Sequence, residues 1–277
     1  MSKVLLVDTN FSSLPIYQSL VKHGYEVIIV GNNPNDCLAK TKRPYLNIDY
    51  SHIDEMSQIV SSLGIEFVIP GCNDLSYKVC SQLTDNGANR FLDSLENAEI
   101  LNNKSKFRFF ATSMGIPVPR LIPYEAACEV NKDIIVKPVD AYSGRGITVI
   151  KKEDLSKLSA AIEKAKAFSS SNQFIVEEFV SGQLFSHSAF IKNGKVATDF
   201  IVQEYCTANP FVVDTSFVVK DFDHSILSQV REAIETIVEK LSLKDGMIHS
   251  QLIISGNSFW LIEVTRRCPG DLYSRLV

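Results

Sequence analysis

Short apolar runs alternate with amphipathic helical stretches from the start of the chain, and no other feature restricts the fold as much. Lys3-Val4-Leu5-Leu6-Val7-Asp8 reads as a buried strand. Ile16, Tyr17, Leu20, Val21 and Gly24 then fall on one helical stripe. Glu26 to Val30 is a second strand, closed by Gly31-Asn32-Asn33-Pro34. Ile53, Met56, Ile59, Val60 and Leu63 recur at helical spacing, and Glu66 to Ile69 is a strand broken by Pro70-Gly71. Strands separated by helices pair in parallel, because each helix carries the chain back across the sheet. The pattern predicts a parallel α/β unit over residues 1–95.

The rest of the chain reads as α+β. Phe107, Phe110, Ala111 and Met114 mark a helix, with Gly115 past its end and Pro117 and Pro119 preventing continuation. Ile134-Ile135-Val136 is a buried strand ending in Lys137-Pro138. Ile147 to Ile150 and Gln173 to Val180 are strands, and Leu155, Leu158, Ile162 and Ala165 stripe the helix between them. Further strands are predicted at Leu184 to Ile191, Val196 to Gln203 and Phe211 to Val219. Ile226, Leu227, Val230, Ala233, Ile234, Ile237, Val238 and Leu241 follow the 3.6-residue period. Two last strands meet at a hairpin, Ser255-Gly256-Asn257-Ser258.

Composition narrows the function classes. The 277 residues are 45% hydrophobic and 22% charged, as in a folded soluble protein rather than a disordered one. A net charge of −4 argues against a protein built on nucleic-acid backbone contacts. Six cysteines, with no Cys-x-x-Cys and no His pair at zinc spacing, read as reduced thiols of a cytoplasmic protein. No apolar run approaches the roughly 18–20 residues of a membrane span.

Three places look chemical. Lys137 ends an apolar strand and faces a loop of small residues containing Gly144 and Gly146. A lysine there can hold a phosphate as a point charge, and the glycines let backbone N–H groups approach its oxygens. The competing reading is a solvated lysine and an ordinary turn. The loop is neither a Walker A motif nor a dinucleotide fingerprint, since Val149 holds the third glycine position. In Val176-Glu177-Glu178-Phe179-Val180 only one carboxylate can face the core, because side chains alternate. A charged strand edge is the competing reading. Glu263 sits in the apolar run Phe259 to Val264, where a buried carboxylate needs a partner or a metal. If the hairpin loop has an odd number of residues, Gln251, His249 and Thr265 share its face and Arg267 lies nearby. Such oxygen donors suit Mg²⁺, and the arginine suits a transferring phosphoryl group. A structural Glu263–Arg267 ion pair is the alternative. His23, His52, His187, His224 and the cysteines read as packing or surface residues.

Six motifs then occur in order: Asn103-Lys104, Gly115-Ile116-Pro117-Val118-Pro119, Ile135-Val136-Lys137-Pro138, Ser143-Gly144-Arg145-Gly146, Val176 to Gly182, and Glu263-Val264-Thr265-Arg266-Arg267. This set resembles the ATP-grasp superfamily, in its carbamoyl-phosphate synthetase, biotin carboxylase and purine-biosynthesis ligase branch. The resemblance implies a pre-ATP-grasp domain over 1–95 and an ATP-grasp domain over 96–277. The latter would comprise a small lid at about 120–180 and an incomplete C-terminal subdomain at 181–277. It implies Lys104 and Lys137 on phosphates, and Ser143, Gly144, Arg145 and Gly146 closing over them. Glu177 would lie at the adenine amino group, with Glu178, Phe179 and Val180 along the adenine edge. Glu263 would bind Mg²⁺, or Mn²⁺ in its place, with Gln251 and Thr265 at the neighbouring metal positions. Arg267 would stabilise the acyl-phosphate and the tetrahedral intermediate.

The activity implied is ADP-forming ligation of a small carboxylate to an amine. A homodimer built through the first domain is implied as well. Three positions depart from the common pattern: Leu184 replaces a ribose-binding carboxylate, Gln251 a metal carboxylate, and Thr265 an asparagine. Ser274 to Val277 reads as the opening of a helix, so a truncated chain is expected. The alternative is a nucleotide-binding module that needs a partner chain. Asn10 and Asn73-Asp74, at strand ends, are candidate substrate contacts by fold analogy.

Overall fold

The computed structural model describes residues 2–41, 43–85, 91–141 and 144–270. Ser143 of the glycine loop and the closing stretch Ser274 to Val277 lie outside the described residues. The first sheet is parallel, with strand order β3-β2-β1-β4. Its strands are β1 (Lys3–Val7), β2 (Glu26–Gly31), β3 (Tyr45–Asn47) and β4 (Phe67–Pro70). The helices α1 (Leu14–Lys22), α2 (Ile53–Ser62) and α3 (Asp74–Asp85) accompany it. Both faces are buried. Leu5, Val7 and Val68 pack with Met56, Val79 and Leu83, while Leu6 and Ile29 pack with Leu38, Ile16 and Leu20. Burial on both sides is why these strands are continuous apolar runs rather than alternating ones.

Helices α4 (Leu95–Asn102) and α5 (Lys104–Ser113) lead to a three-stranded antiparallel sheet of order β6-β5-β7. It consists of β5 (Ile134–Pro138), β6 (Thr148–Ile150) and β7 (Phe174–Glu178). Ile134, Val136 and Val176 point to α6 (Leu158–Phe168) and pack on Leu158, Ile162 and Ala165. The opposite face carries Ile135, Lys137, Ile175 and Glu177, since residues opposite each other in a ladder share a face.

The third sheet has five antiparallel strands in the order β10-β9-β8-β11-β12. They are β8 (Gln183–Lys192), β9 (Lys195–Tyr205), β10 (Thr215–Val218), β11 (Gly246–Ser255) and β12 (Ser258–Thr265). One face packs on α7 (His224–Lys240) and α5, through Phe185, Ile201, Leu252, Ile234 and Phe107. The other is polar.

The structure differs from the sequence expectations in places. The pattern gave no sign of β3, α3 or α4. The segment of α3, DLSYKVCSQLTD, has few strong helix formers and is held through buried Val79, Cys80 and Leu83. The final hairpin turns through two residues, Gly256 and Asn257, not an odd number. A bulge between Gln251 and Leu252 supplies the odd residue instead, because Leu252 faces Leu261 while Gln251 faces Glu263. Gln251/Glu263 and His249/Thr265 are thus paired as expected, for a different reason.

Candidate functional site

Asn103 starts the site. Its side chain accepts from Lys106 N at 3.1 Å and caps α5. The cap fixes Lys104 at the first helical position. The Lys104 backbone N–H donates to Val139 O (2.9 Å) and its Nζ to Ala141 O (2.7 Å), at the entrance to the glycine loop. One turn on, Arg108 stands on the same side of α5, fully buried. Its Nε lies 2.6 Å from Glu177 Oε1, off the line of the N–H, so the contact is a close ion pair rather than an aligned hydrogen bond. Lys137 Nζ donates to Glu177 Oε2 at 2.7 Å. Glu177 therefore sits inside an ionic group of β5, β7 and α5, and Lys137 is its partner rather than a solvated side chain.

Burial pushes the Lys137 ammonium towards its neutral form, and Glu177 opposes this. Burial also works to raise Glu177, but Lys137 and Arg108 outweigh it and hold the carboxyl below its ordinary range. Lys104 and Arg108 both repel Lys137. Lys137 and Arg108 thus share one carboxylate with Lys104 close by, which leaves positive potential at this end of β5. Glu178 is the charged strand edge instead, bound by Lys132 and by Arg120 at 3.5 Å. Phe179 N donates to Asp133 O, its ring lies 5.9 Å from Lys151 Nζ, and Val180 beside it is half-buried.

Gly144 and Gly146 both have positive φ, at 68° and 74°. Their close approaches are to protein: a Cβ on Gly144 would lie 2.6 Å from Phe211 Cβ, and one on Gly146 2.8 Å from Phe168 Cβ. The glycine loop is therefore pressed against the β9–β10 connection at Gly144 and against the end of α6 at Gly146. Arg145 between them is exposed.

The polar face of the five-stranded sheet carries the other residues. Ser186, Gln251 and Glu263 form one row across β8, β11 and β12, and Ser188, His249 and Thr265 form the next. Glu263 is half-buried rather than buried, so it needs no structural partner. Arg267 does not hydrogen-bond to it. Arg267 Nε donates to Asp74 Oδ1 at 2.6 Å, at the start of α3. Burial opposes the charge on Arg267, but Asp74 outweighs it and raises the pKa, with Glu263 adding at longer range. The His249 imidazole meets Ser188 Oγ at 2.8 Å, and burial pushes its pKa down to about 3, so it is neutral near pH 7. Leu184 lies on this face, opposite Ile253 on β11 and Glu204 on β9.

A hard cation fits this donor set. Glu263 offers a carboxylate and Gln251 an amide oxygen, and Thr265 Oγ1 is buried with no hydrogen-bond partner. Among the described residues no three His, Cys, Asp or Glu side chains gather to hold a metal by themselves. Phosphate oxygens would have to complete the shell. Arg108 joins the two halves of the site, because its NH2 group donates to Ile262 O (2.7 Å) at the bulge before Glu263.

Sequence reasoning missed Arg108, Glu204 and Asp74 as partners of these residues. The spacing of Lys104 and Arg108 was a signal for the first. Glu204 lay just past the predicted end of its strand, and only tertiary structure brings Asp74 to Arg267. Asn10 is a cap, accepting from Ser12 N at 3.3 Å. Asn73 accepts from Ser76 N at 2.8 Å. A cavity of about 750 Å³ lies elsewhere, between the end of α7 and the β8–β9 turn, lined by Lys195, Glu235, Glu239 and Asp245. It contains none of the groups described above. Among the described residues no helix is long and apolar enough to cross a membrane.

The family pattern of the ATP-grasp domain matches residues 130–274. Phosphoribosylamine–glycine ligase of Pyrococcus horikoshii is 23% identical over 295 residues, covering 96% of this chain and 66% of the relative. The chain thus spans just under two thirds of that relative's length. An L-amino acid ligase from Bacillus licheniformis superposes with a TM-score of 0.78 at 16% identity, over 96% of this chain and 67% of the other. N5-carboxyaminoimidazole synthetase from Staphylococcus aureus, complexed with ADP, superposes with a TM-score of 0.79 at 16% identity, over 96% and 70%.

Proposed function

Because the chain belongs to the ATP-grasp family, we propose that it uses ATP to activate a small carboxylate as an acyl-phosphate for attack by an amine, in the manner of carbamoyl-phosphate synthetase-like ligases. The observation that carries this reading is the ionic group on α5, β5 and β7. Lys104, Arg108 and Lys137 outnumber Glu177 there, and Arg108 links that group to the strand bearing Glu263. A surplus of positive charge, mostly buried, suits a polyphosphate held beside Lys104.

In this reading the carboxylate oxygen attacks the γ-phosphorus and ADP leaves. The amine nitrogen then adds to the acyl carbon and loses a proton, and phosphate departs. Lys104 and Lys137 hold phosphate oxygens, and the loop with Ser143, Gly144, Arg145 and Gly146 covers them. Glu177 to Val180 border the adenine. Arg267, fixed by Asp74, offsets the charge that develops on the transferring and acyl oxygens. Glu263, with Gln251 and Thr265, would hold Mg²⁺ or Mn²⁺, which neutralises phosphate charge. Catalysis is mainly positioning and electrostatics. Residues 1–95 serve as the pre-ATP-grasp domain and as a homodimer surface. Residues 96–277 form the grasp, with its lid at about 120–180 and its C-terminal subdomain at 181–277, in a cytoplasmic enzyme. The L-amino acid ligase and phosphoribosylamine–glycine ligase among the similar proteins support a carboxylate and an amine as the substrate pair.

The test is an ATP titration of the chain with and without Mg²⁺, beside Lys137→Ala. Mg²⁺-assisted binding that the variant loses is the expected result. A folded chain that binds no ATP would overturn the reading. Leu184 and Gln251 favour a second one, a nucleotide-binding module that turns over only with a partner chain. ADP release by this chain with a small carboxylate and an amine would reject it.

A further inference from the structure

The neutral Gln251, where a carboxylate would serve a cation better, is explained by a residue two strands away. Glu204 on β9 is 5% exposed, which is rare for a carboxylate without donors. It has them on both oxygens. Gln251 Nε2 donates to Glu204 Oε2 at 2.9 Å, and the Ser186 hydroxyl donates to Oε1. All three residues lie on the polar face, with Gln251 directly opposite Glu263 on its other side.

A carboxylate only accepts hydrogen bonds, whereas an amide has one end that donates and one that accepts. The amide of Gln251 therefore has a single stable orientation beside Glu204. Reversed, it would set its oxygen against a carboxylate oxygen at hydrogen-bond distance. The oxygen is left turned away from Glu204, over the side of the sheet where Glu263 stands. Negative charge behind the N–H end also polarises the amide and makes its oxygen a better donor to a cation.

From this arrangement we infer that Glu204 is a positioning residue, which locks the Gln251 amide so that its oxygen joins Glu263 as a ligand for a divalent cation bound with nucleotide. The inference rests on the nucleotide reading above and deepens it. Two carboxylates at 204 and 251 would repel each other across Ser186. A carboxylate and an amide support each other, and either order of the two satisfies the same hydrogen bonds.

That symmetry supplies the test. Mn²⁺ binding in the presence of ADP is followed by the electron paramagnetic resonance signal of free Mn²⁺, in the unmodified chain, in Glu204→Gln, and in the reciprocal swap Glu204→Gln with Gln251→Glu. Glu204→Gln should weaken Mn²⁺ binding by about 10–100-fold, the range for the loss of a residue that orients a metal ligand. The swap should restore it to within about threefold, because the pair re-forms with the carboxylate now facing the cation. Gln251→Glu alone is the control for the added charge: with Glu204 beside it the two carboxylates repel, so that variant should bind Mn²⁺ more weakly than the swap, and equal binding by the two would count against the inference. Unchanged Mn²⁺ affinity in Glu204→Gln overturns the inference and leaves the function standing. So does a folded swap that stays as weak as the single variant. Should Glu204→Gln fail to fold, the swap decides alone, and a swap that is unfolded or binds no Mn²⁺ counts against the inference. If the unmodified chain binds ADP but no Mn²⁺, the inference falls with the cation site. Binding of neither overturns the function too.

Discussion

At the scale of single residues, the buried charge in the site is concentrated on Arg108, Glu177 and Lys137, none more than 8% exposed at the side chain. Transferring such charges out of water is costly, and their attraction repays it only while every partner is present. Arg108→Met keeps most of the volume but leaves Glu177 with one cation and Ile262 O without its donor. The expected loss is about 3–5 kcal/mol of stability, read by urea denaturation. Arg108→Lys restores the charge but not a planar fork that can reach Glu177 and Ile262 O together, so it should recover only part. Stability equal to that of the unmodified chain in Arg108→Met would show that the ionic group adds nothing to the fold. Lys137 was visible in the sequence because it ends an apolar strand before a glycine loop. Its partner Arg108 was not, since an arginine in a helix is ordinary until its burial is known.

At the scale of elements, the long strands and α7 could be read from period and composition, because each buries a regular stripe. What could not be read depends on pairing. The bulge at Ile262 has no local signature, yet it decides that Glu263 faces Gln251. The same limit applies on the core side of the sheet, where Asp199 on β9 binds Arg231 on α7. Arg231 Nε and NH2 donate to Asp199 at 2.7 and 2.6 Å, and His187 Nε2 lies 2.9 Å away. Burial works to raise the Asp199 carboxyl, but Arg231 and His187 outweigh it and hold the pKa well below its ordinary 3.8. A carboxyl depressed in the folded state stabilises the fold above its unfolded pKa, and that contribution is lost as pH falls through the folded value. The link between α7 and β9 should therefore be at full strength at neutral pH and weaken below about pH 4. Asp199→Asn should cost about 1.5–3 kcal/mol at pH 7, the range for hydrogen bonds to a charged group. The difference from the unmodified chain should shrink on acidification. A difference that does not change between pH 7 and pH 3, followed by urea titrations, would contradict this account.

At the scale of the whole molecule, a polar seam just past the end of β12 ties the parallel sheet to the five-stranded one, beside the packing of α4 on α3 and β12. Arg267 reaches Asp74, and Arg266 next to it reaches Asp93, its Nε 2.6 Å from Asp93 Oδ2. Asp93 is fully buried at its side chain, and it also accepts from Tyr77 OH at 2.7 Å and from Lys244 N at 2.7 Å. Arg266 spends its remaining donors on Lys244 O and Met247 O, at 2.6 Å each. The seam thus fixes Arg267, the candidate catalytic cation, and couples the two sheets at the same point. A chain joined in this way should unfold as one unit, giving a single calorimetric transition. Asp93→Ala removes the acceptor shared by α3, the start of β11 and the end of β12, and leaves the Arg266 guanidinium buried without its counter-charge. The cost of breaking such a pair is about 3–5 kcal/mol. Because the loss falls on the seam and not on either core, the expected signature is a transition that splits in two, with the parallel sheet melting apart from the rest. A single transition at the original temperature would show that the packing of α4 on α3 and β12 suffices to couple them. Arg267 would then owe its placement to Asp74 alone.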